Sequence, residues 1–140
     1  MPERSPEIEQ TMRDTVEAMA RSELDVIERR TSRDACVLSI GSDASEWAEG
    51  FDEIMRLFRD STPEGEMGVR AGLDDVKAFR EGSVGWVAAR GWFEIDGSRV
   101  PVRLTGVVHQ EDGEWKAVQN HASIGVPNDH MLDPMFQATG

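Results

Sequence analysis

His121 stands between Gln119 and Ser123 in "AVQNHAS", a run of strand-forming character in which these three residues alternate. In an extended chain, residues two apart share a face. An imidazole, an amide and a hydroxyl on one face can hold a carbonyl oxygen, and the imidazole can move a proton near neutral pH. An acid is needed to complement such a ring, and Asp74 and Asp43 are the candidates. Asp74 shares the His121 face if Glu81-Gly82 forms a two-residue turn, although that strand is long enough to hold a bulge. Asp43 lies in "IGSDASEWAEG", where Asp43, Glu46 and Glu49 surround Trp47. One reading of this stretch is a hinge: Ser42 or Asp43 satisfies free backbone groups, Gly50 relaxes the entry to a helix, and the acids are solvated. The other makes Asp43 or Glu46 a general acid whose pKa is raised by the neighbouring indole. Local turn chemistry favours the hinge. His121 also has a structural alternative, a core ring bonded to a backbone carbonyl or to Asp14 or Thr15.

The elements that position these groups follow from two dipeptides. Asp96-Gly97 and Asp112-Gly113 suit type I′ turns, whose two central residues need positive φ. Ile95 then pairs with Ser98, Phe93 with Val100, Gly91 with Val102, Ala89 with Leu104 and Val87 with Gly106. At the second turn Glu111 pairs with Glu114, Val108 with Ala117, Gly106 with Gln119 and Leu104 with His121. One face of the sheet becomes Val87, Ala89, Phe93, Ile95, Val100, Val102, Leu104, Val108, Trp115 and Ala117, joined by Gln119, His121 and Ser123. An apolar wall with a few convergent polar groups has the composition of a binding pocket. Its expected ligand contacts are Gln119, His121, Ser123, Trp115, Leu104 and Phe93, with Trp47 at the rim. The opposite face carries Trp86, Arg90, Trp92, Arg103, Thr105 and Asn120. Its aromatic and Arg enrichment suits a protein interface, expected to join two copies of the chain. Arg90 and Arg103 oppose each other there and would repel unless an acid lay between them.

Helices precede the strands. Ser5-Pro6 is a start signal, and Ile8, Met12 and Val16 recur at helical spacing behind it. Ser22 with Asp25 resembles a second cap, leading a short helix to about Arg30. Phe51, Ile54, Met55 and Phe58 mark a third helix over roughly residues 50–60. "ACVLSIG" reads as a β run with Cys36 buried and inert, and "STPEGEMG" as a loop. Helices followed by a meander of long strands predict an α+β domain with helices on one face of a mostly antiparallel sheet. Gly91 and Gly106 allow those strands to bend. The domain is expected over residues 1–126, with a C-terminal tail of 127–140 that has no clear period.

At 140 residues and 39% hydrophobic content the chain supports one good core. The net charge of -12 repels a nucleic-acid backbone. A single cysteine forms no internal disulfide, and His109 and His130 do not make ligand spacing with His121, so no metal site is expected. No phosphate loop, cofactor motif, signal peptide or membrane-length apolar run is legible; the chain reads as soluble and cytoplasmic, with no nucleic-acid or membrane partner.

Taken together, "ELDVIERRTS", "VLSIGSDASEWAEGFDEIMRLF", "FREGSVGWVAARG" and "GEWKAVQNHASIG" resemble the SnoaL-like proteins of the nuclear transport factor 2-like superfamily. The resemblance spans about residues 7–125. It implies a cone-shaped, cystatin-like α+β fold, a mixed and strongly curved sheet around a pocket, and a sheet-mediated homodimer. It does not imply one activity. The chain lacks the pocket Tyr of the superfamily's steroid isomerases. It also has Gln119 where relatives often carry a first His before His121. The expected function is binding of a small, largely apolar molecule. The alternatives are an isomerase, cyclase or hydrolase-like enzyme using His121 with a carboxylate, and an interaction module with a filled cavity.

Overall fold

The computed structural model describes residues 1–61 and 70–137. Both Asp-Gly dipeptides adopt the backbone that their chemistry favours: Asp96 and Gly97 have φ of 50° and 79°, Asp112 and Gly113 of 51° and 80°. Two long hairpins follow. Strand β4 (Arg70–Glu81) leads to β5 (Val84–Ile95), then to β6 (Ser98–Glu111) and β7 (Glu114–Ser123). The shorter strands are β1 (Glu3–Arg4), β2 (Leu38–Ile40) and β3 (Trp47–Glu49), and the sheet order is β1-β4-β5-β6-β7-β2-β3. Every pairing is antiparallel except β2 with β7. The α+β class and the mixed, mostly antiparallel sheet are therefore as expected.

Helix α1 (Pro6–Ala20) begins where Ser5 Oγ accepts the Ile8 N–H, with Pro6 in the first turn. It packs across β4 and β5. Ile8, Val76, Ala78, Val87, Ala89, Val108 and Trp115 form the main core beneath it. Burying Trp115 and Ile8, each 1% exposed, contributes about 1.5–3 kcal/mol apiece. Helix α2 (Leu24–Arg30) meets α1, β7 and α3 (Phe51–Ser61). A second cluster of Val37, Ala48 and Ile54 holds α3 to the β2–β3 end of the sheet.

Three local expectations are corrected. Ser22 does not cap α2: its φ is 59°, because the short link from α1 needs a left-handed residue to reverse direction, and Glu23 takes the cap position without a side-chain bond. Cys36 is exposed rather than buried, since Asp34 turns the chain there by accepting the Cys36 N–H, and the strand starts only at Leu38. The turn before β5 has Gly82 and Ser83 at its centre, one position later than Glu81-Gly82, because Glu81 pairs with Val84. The loop expected at "STPEGEMG" falls, from residue 62 on, outside the described residues, as do residues 138–140. Within the tail, two short 3₁₀ turns at Asn128–His130 and Pro134–Phe136 leave Met131, Leu132, Met135 and Phe136 exposed.

The largest departure lies in β7. Pairing runs as expected from Glu111–Glu114 to Val108–Ala117, but Val107 then pairs with Gln119, leaving Val118 as an extra residue. Beyond this bulge every side chain changes face. Gly106 meets Asn120, Thr105 meets His121, Leu104 meets Ala122, and Arg103 meets Ser123. A second irregularity sits between Leu73 and Asp75 in β4 and leaves Asp74 out of the pairing with β5. Gly91 lies opposite this second bulge, paired with Leu73, and a methyl group there would collide with the Gly72 carbonyl oxygen. Gly91→Ala is therefore expected to lower stability by about 1–3 kcal/mol, read as a shift of the denaturant midpoint. An unchanged midpoint would show that the β4–β5 approach at the bulge is looser than described.

Candidate ligand-binding cavity

Because the sheet bends under α1, a gap of about 320 Å³ lies between the two layers. Its sheet wall includes Val87, Phe93, Ile95, Leu104, Val108, Trp115, Ala117, Asn120 and Ala122; its helix wall includes Ile8, Met12, Val16 and Met19. Leu57 and Phe58 of α3 and Ser39 to Ser42 close one side. The deep end, at Ile8, Val108 and Trp115, is 1%, 6% and 1% exposed, whereas Ile95 at the other end of β5 is 43% exposed. The cavity thus opens toward the Asp96-Gly97 turn.

Three of the expected ligand contacts, Trp115, Leu104 and Phe93, line this space. Gln119, His121 and Ser123 do not: the Val118 bulge sends them to the outer face, where they pair with Val107, Thr105 and Arg103. His121 is exposed there. Asn120, expected on the outer face, moves inward by the same step, and its Oδ1 lies 3.2 Å from where a Cβ on Gly106 would stand. The remaining outer-face residues, Trp86, Arg90, Trp92, Arg103 and Thr105, keep the expected register, with Arg90 opposite Arg103. Thr105 also borders the cavity. Asp74 sits exposed at the β4 bulge, away from the cavity lining, so no His121–Asp74 pair forms. The bulge is stapled from the helix side, since Arg13 Nη1 donates to the Leu73 carbonyl at 2.8 Å.

The acidic stretch proves to be a β2–β3 hairpin joined to a helix start. Asp43 Oδ1 accepts the Ser45 N–H at 2.8 Å and the Ser45 hydroxyl at 2.6 Å, while Glu46 Oε1 accepts the Asp43 N–H at 2.9 Å. Gly50, at φ 87°, turns β3 into α3, and Glu53 Oε2 accepts the Glu49 N–H. The Ser45 hydrogen bonds hold the Asp43 carboxyl below its ordinary pKa, the opposite of a general acid raised by an indole. Asp43 and Trp47 do not line the cavity; Trp47 is 60% exposed, and Ser42 and Glu46 reach the wall instead. Cys36, although exposed, has its thiol pKa pushed up by hydrogen bonding to Asp34, which disfavours the nucleophilic thiolate.

Elsewhere, Ser32 Oγ donates to Glu111 Oε2 at 2.7 Å and His109 Nδ1 lies 3.3 Å from the same oxygen. Serine and imidazole meet the carboxylate rather than each other, so this is not a relay that activates the hydroxyl. Among the described residues no cluster of three or more His, Cys, Asp or Glu is placed to hold a metal ion. No helix among them is long and apolar enough to cross a membrane.

Composition alone did not point to the polar atoms of the cavity. Asn120 is one. Arg30 Nε and Trp115 Nε1 are two more, both buried and without a hydrogen-bond partner among the described residues. An unsatisfied buried donor costs about 1–3 kcal/mol. A signal for the inward turn of Asn120 was present in the alternation itself: the apolar phase occupies Trp115 and Ala117, then passes to Val118 and Ala122.

A depressed Asp43 pKa stabilises the folded chain above the pKa of the unfolded chain, and that contribution is lost as pH falls through the folded value. Ser45→Ala is therefore expected to raise the Asp43 midpoint in a carboxyl NMR titration and to destabilise the protein at neutral pH. The difference from the parent should vanish in strong acid. An unmoved midpoint would discard the hinge bonds as its cause.

The SnoaL-like domain family matches residues 8–127 of the chain. Among curated proteins none matches the sequence. Solved structures share the architecture. A nuclear transport factor 2-like superfamily protein from Salmonella enterica superposes with TM-score 0.76 at 12% identity, over 87% of this chain and 91% of that one. An NTF2-like protein of unknown function from Pseudomonas putida KT2440 gives TM-score 0.73 at 10% identity, over 91% and 93%. A protein of unknown function with a cystatin-like fold from Nostoc punctiforme gives 0.70 at 11%, over 85% and 89%. At these identities the likeness is one of fold. The family match over residues 8–127 leads to one assignment: the chain belongs to the SnoaL-like family, and it has the fold of the nuclear transport factor 2-like proteins.

Proposed function

We propose that the protein binds a small, largely apolar molecule in the cavity beneath α1 and acts as a homodimer joined through the outer face of its sheet. The observation that carries the binding reading is the cavity itself. Its volume, about 320 Å³, falls within the range of small-molecule sites, and its wall is largely apolar, built from aliphatic, Met, Phe, Trp and Ala side chains with a minority of polar residues. A catalytic reading built on His121 loses its geometry, because the ring faces away from this space. Glu46 is the sole carboxylate lining it among the described residues, and its Oε1 is already engaged by the Asp43 N–H.

Support for the dimer comes from the outer face. Trp86 is 40% exposed and stacks on Phe79 with ring centroids 6.3 Å apart, and Arg99 lies 3.7 Å above the Trp92 ring. Arg90 and Arg103 pair across the strands, both exposed, with no ion pair to either among the described residues. Two adjacent cations on an acidic protein are relieved when a second subunit brings carboxylates to them.

Native mass spectrometry of gently purified protein should reveal a retained small molecule, and Ala122→Phe, which fills the wall beside Leu104, should abolish its retention without altering the circular dichroism. Retention that survives this substitution would move the binding site elsewhere. In sedimentation equilibrium the parent should run as a dimer and Trp86→Glu as a monomer; an unchanged species would remove this face from consideration.

A further inference from the structure

Two buried donors converge on one part of the cavity wall. Thr31, the residue after α2, bridges to Ala117 of β7, and Ser32 N donates to the Ala117 carbonyl at 2.9 Å. This bridge brings Arg30, at the end of α2, to the strand position two residues beyond Trp115. Both side chains line the cavity, and both have a buried N–H, Arg30 Nε and Trp115 Nε1, with no acceptor among the described residues. Trp115 is 1% exposed and lies at the deep end. Arg30 is in no ion pair among the described residues, although its neighbour Arg33 is paired with Glu28 at 2.9 Å. Asn120 stands on the other side of Ala117, across the bulge, and supplies a further amide to the same wall.

Arg30 is half-buried, with its Nε shut off from water and unpaired among the described residues; a cation so placed favours an anionic acceptor, and an indole N–H can only donate. The apolar residues leading outward, Leu104, Phe93 and Ile95, offer no such partner, while they suit a hydrocarbon chain. The geometry points to a carboxylate recognition site at Arg30 and Trp115, so that the ligand is an apolar carboxylic acid bound head-first, its carboxylate deep and its hydrocarbon part toward Ile95. This rests on the proposal that the cavity binds a small molecule and adds the chemical class of that molecule. Charge-assisted hydrogen bonds to a carboxylate supply the discrimination, and the guanidinium fork and the indole N–H together prefer two oxygens to one.

Decanoate and decanol, alike in chain and different in head group, separate the two readings when titrated calorimetrically into the full chain. The parent is expected to bind decanoate about ten- to a hundredfold more tightly than decanol. Arg30→Gln should erase that preference while leaving the affinity for decanol unchanged. Trp115→Phe, which keeps the ring and removes the donor, should reduce it, and Arg30→Lys should retain part of it; these two keep the test open if the Gln variant fails to fold. Equal affinity for the two probes in the parent, or a preference that survives Arg30→Gln, overturns the carboxylate assignment and leaves the binding cavity standing. Failure of the folded parent to bind either probe overturns both.

Discussion

Val118 has no partner across the strand pair, and much of the molecule depends on that. In a regular ladder Gln119, His121 and Ser123 would face α1 with Trp115 and Ala117. Without partners there, each would cost about 1–3 kcal/mol. Interrupting the ladder at one residue forfeits a hydrogen bond worth about 1 kcal/mol. The bulge is the smaller loss, and it returns three polar side chains to the outer face. The parallel strand β2 then pairs with the residues beyond it, Leu38 with Gln119 and Ser39 with Asn120. The far edge of the sheet, and the hairpin that borders the cavity, are thus built on the shifted register.

The second bulge does similar work at the other side. Leaving Asp74 out of the β4 pairing keeps a carboxylate exposed, bends β4 over Gly91, and presents the Leu73 carbonyl to Arg13 of α1. The curvature that opens a gap under the helix comes from these irregularities together with the small residues beside them. Gly106, next to the first bulge, faces Asn120, and Gly91 faces Leu73. Regular strands of twelve to fourteen residues with full-sized side chains would lie closer to α1 and leave less room.

The two faces of the sheet consequently have distinct chemistry. The inner face is mostly apolar, with Arg30, Trp115 and Asn120 placing polar atoms near Ala117, where α2, β7 and the bulge meet, and Ser42 and Glu46 adding others from the β2–β3 hairpin. The outer face combines exposed Trp86, Arg90, Arg103 and His121 with a half-buried Trp92. The acidic hairpin at the rim is a structural joint: Asp43 and Glu46 spend their oxygens on backbone N–H groups and on Ser45. These bonds hold the loop in shape, and those from Ser45 keep the Asp43 carboxyl below its ordinary pKa, which makes it a poor proton donor at neutral pH.

What this sequence determined by itself were the features written in local backbone chemistry. Asp96-Gly97 and Asp112-Gly113 specify positive φ, and from them followed the whole β5–β6 register and the first part of β6–β7. Ser5-Pro6 placed the start of α1, and the spacing of Phe51, Ile54, Met55 and Phe58 placed α3. Tertiary structure alone decided where the ladders slip, that "EWAEG" holds a third short strand, and that Asn120 and Arg30 rather than His121 join Trp115 in facing the cavity. The physical reason is range. A turn is chosen by the dihedral preferences of two residues, whereas a bulge is chosen by a competition between one lost hydrogen bond and the burial of side chains several residues away, against a helix that the strand itself does not encode.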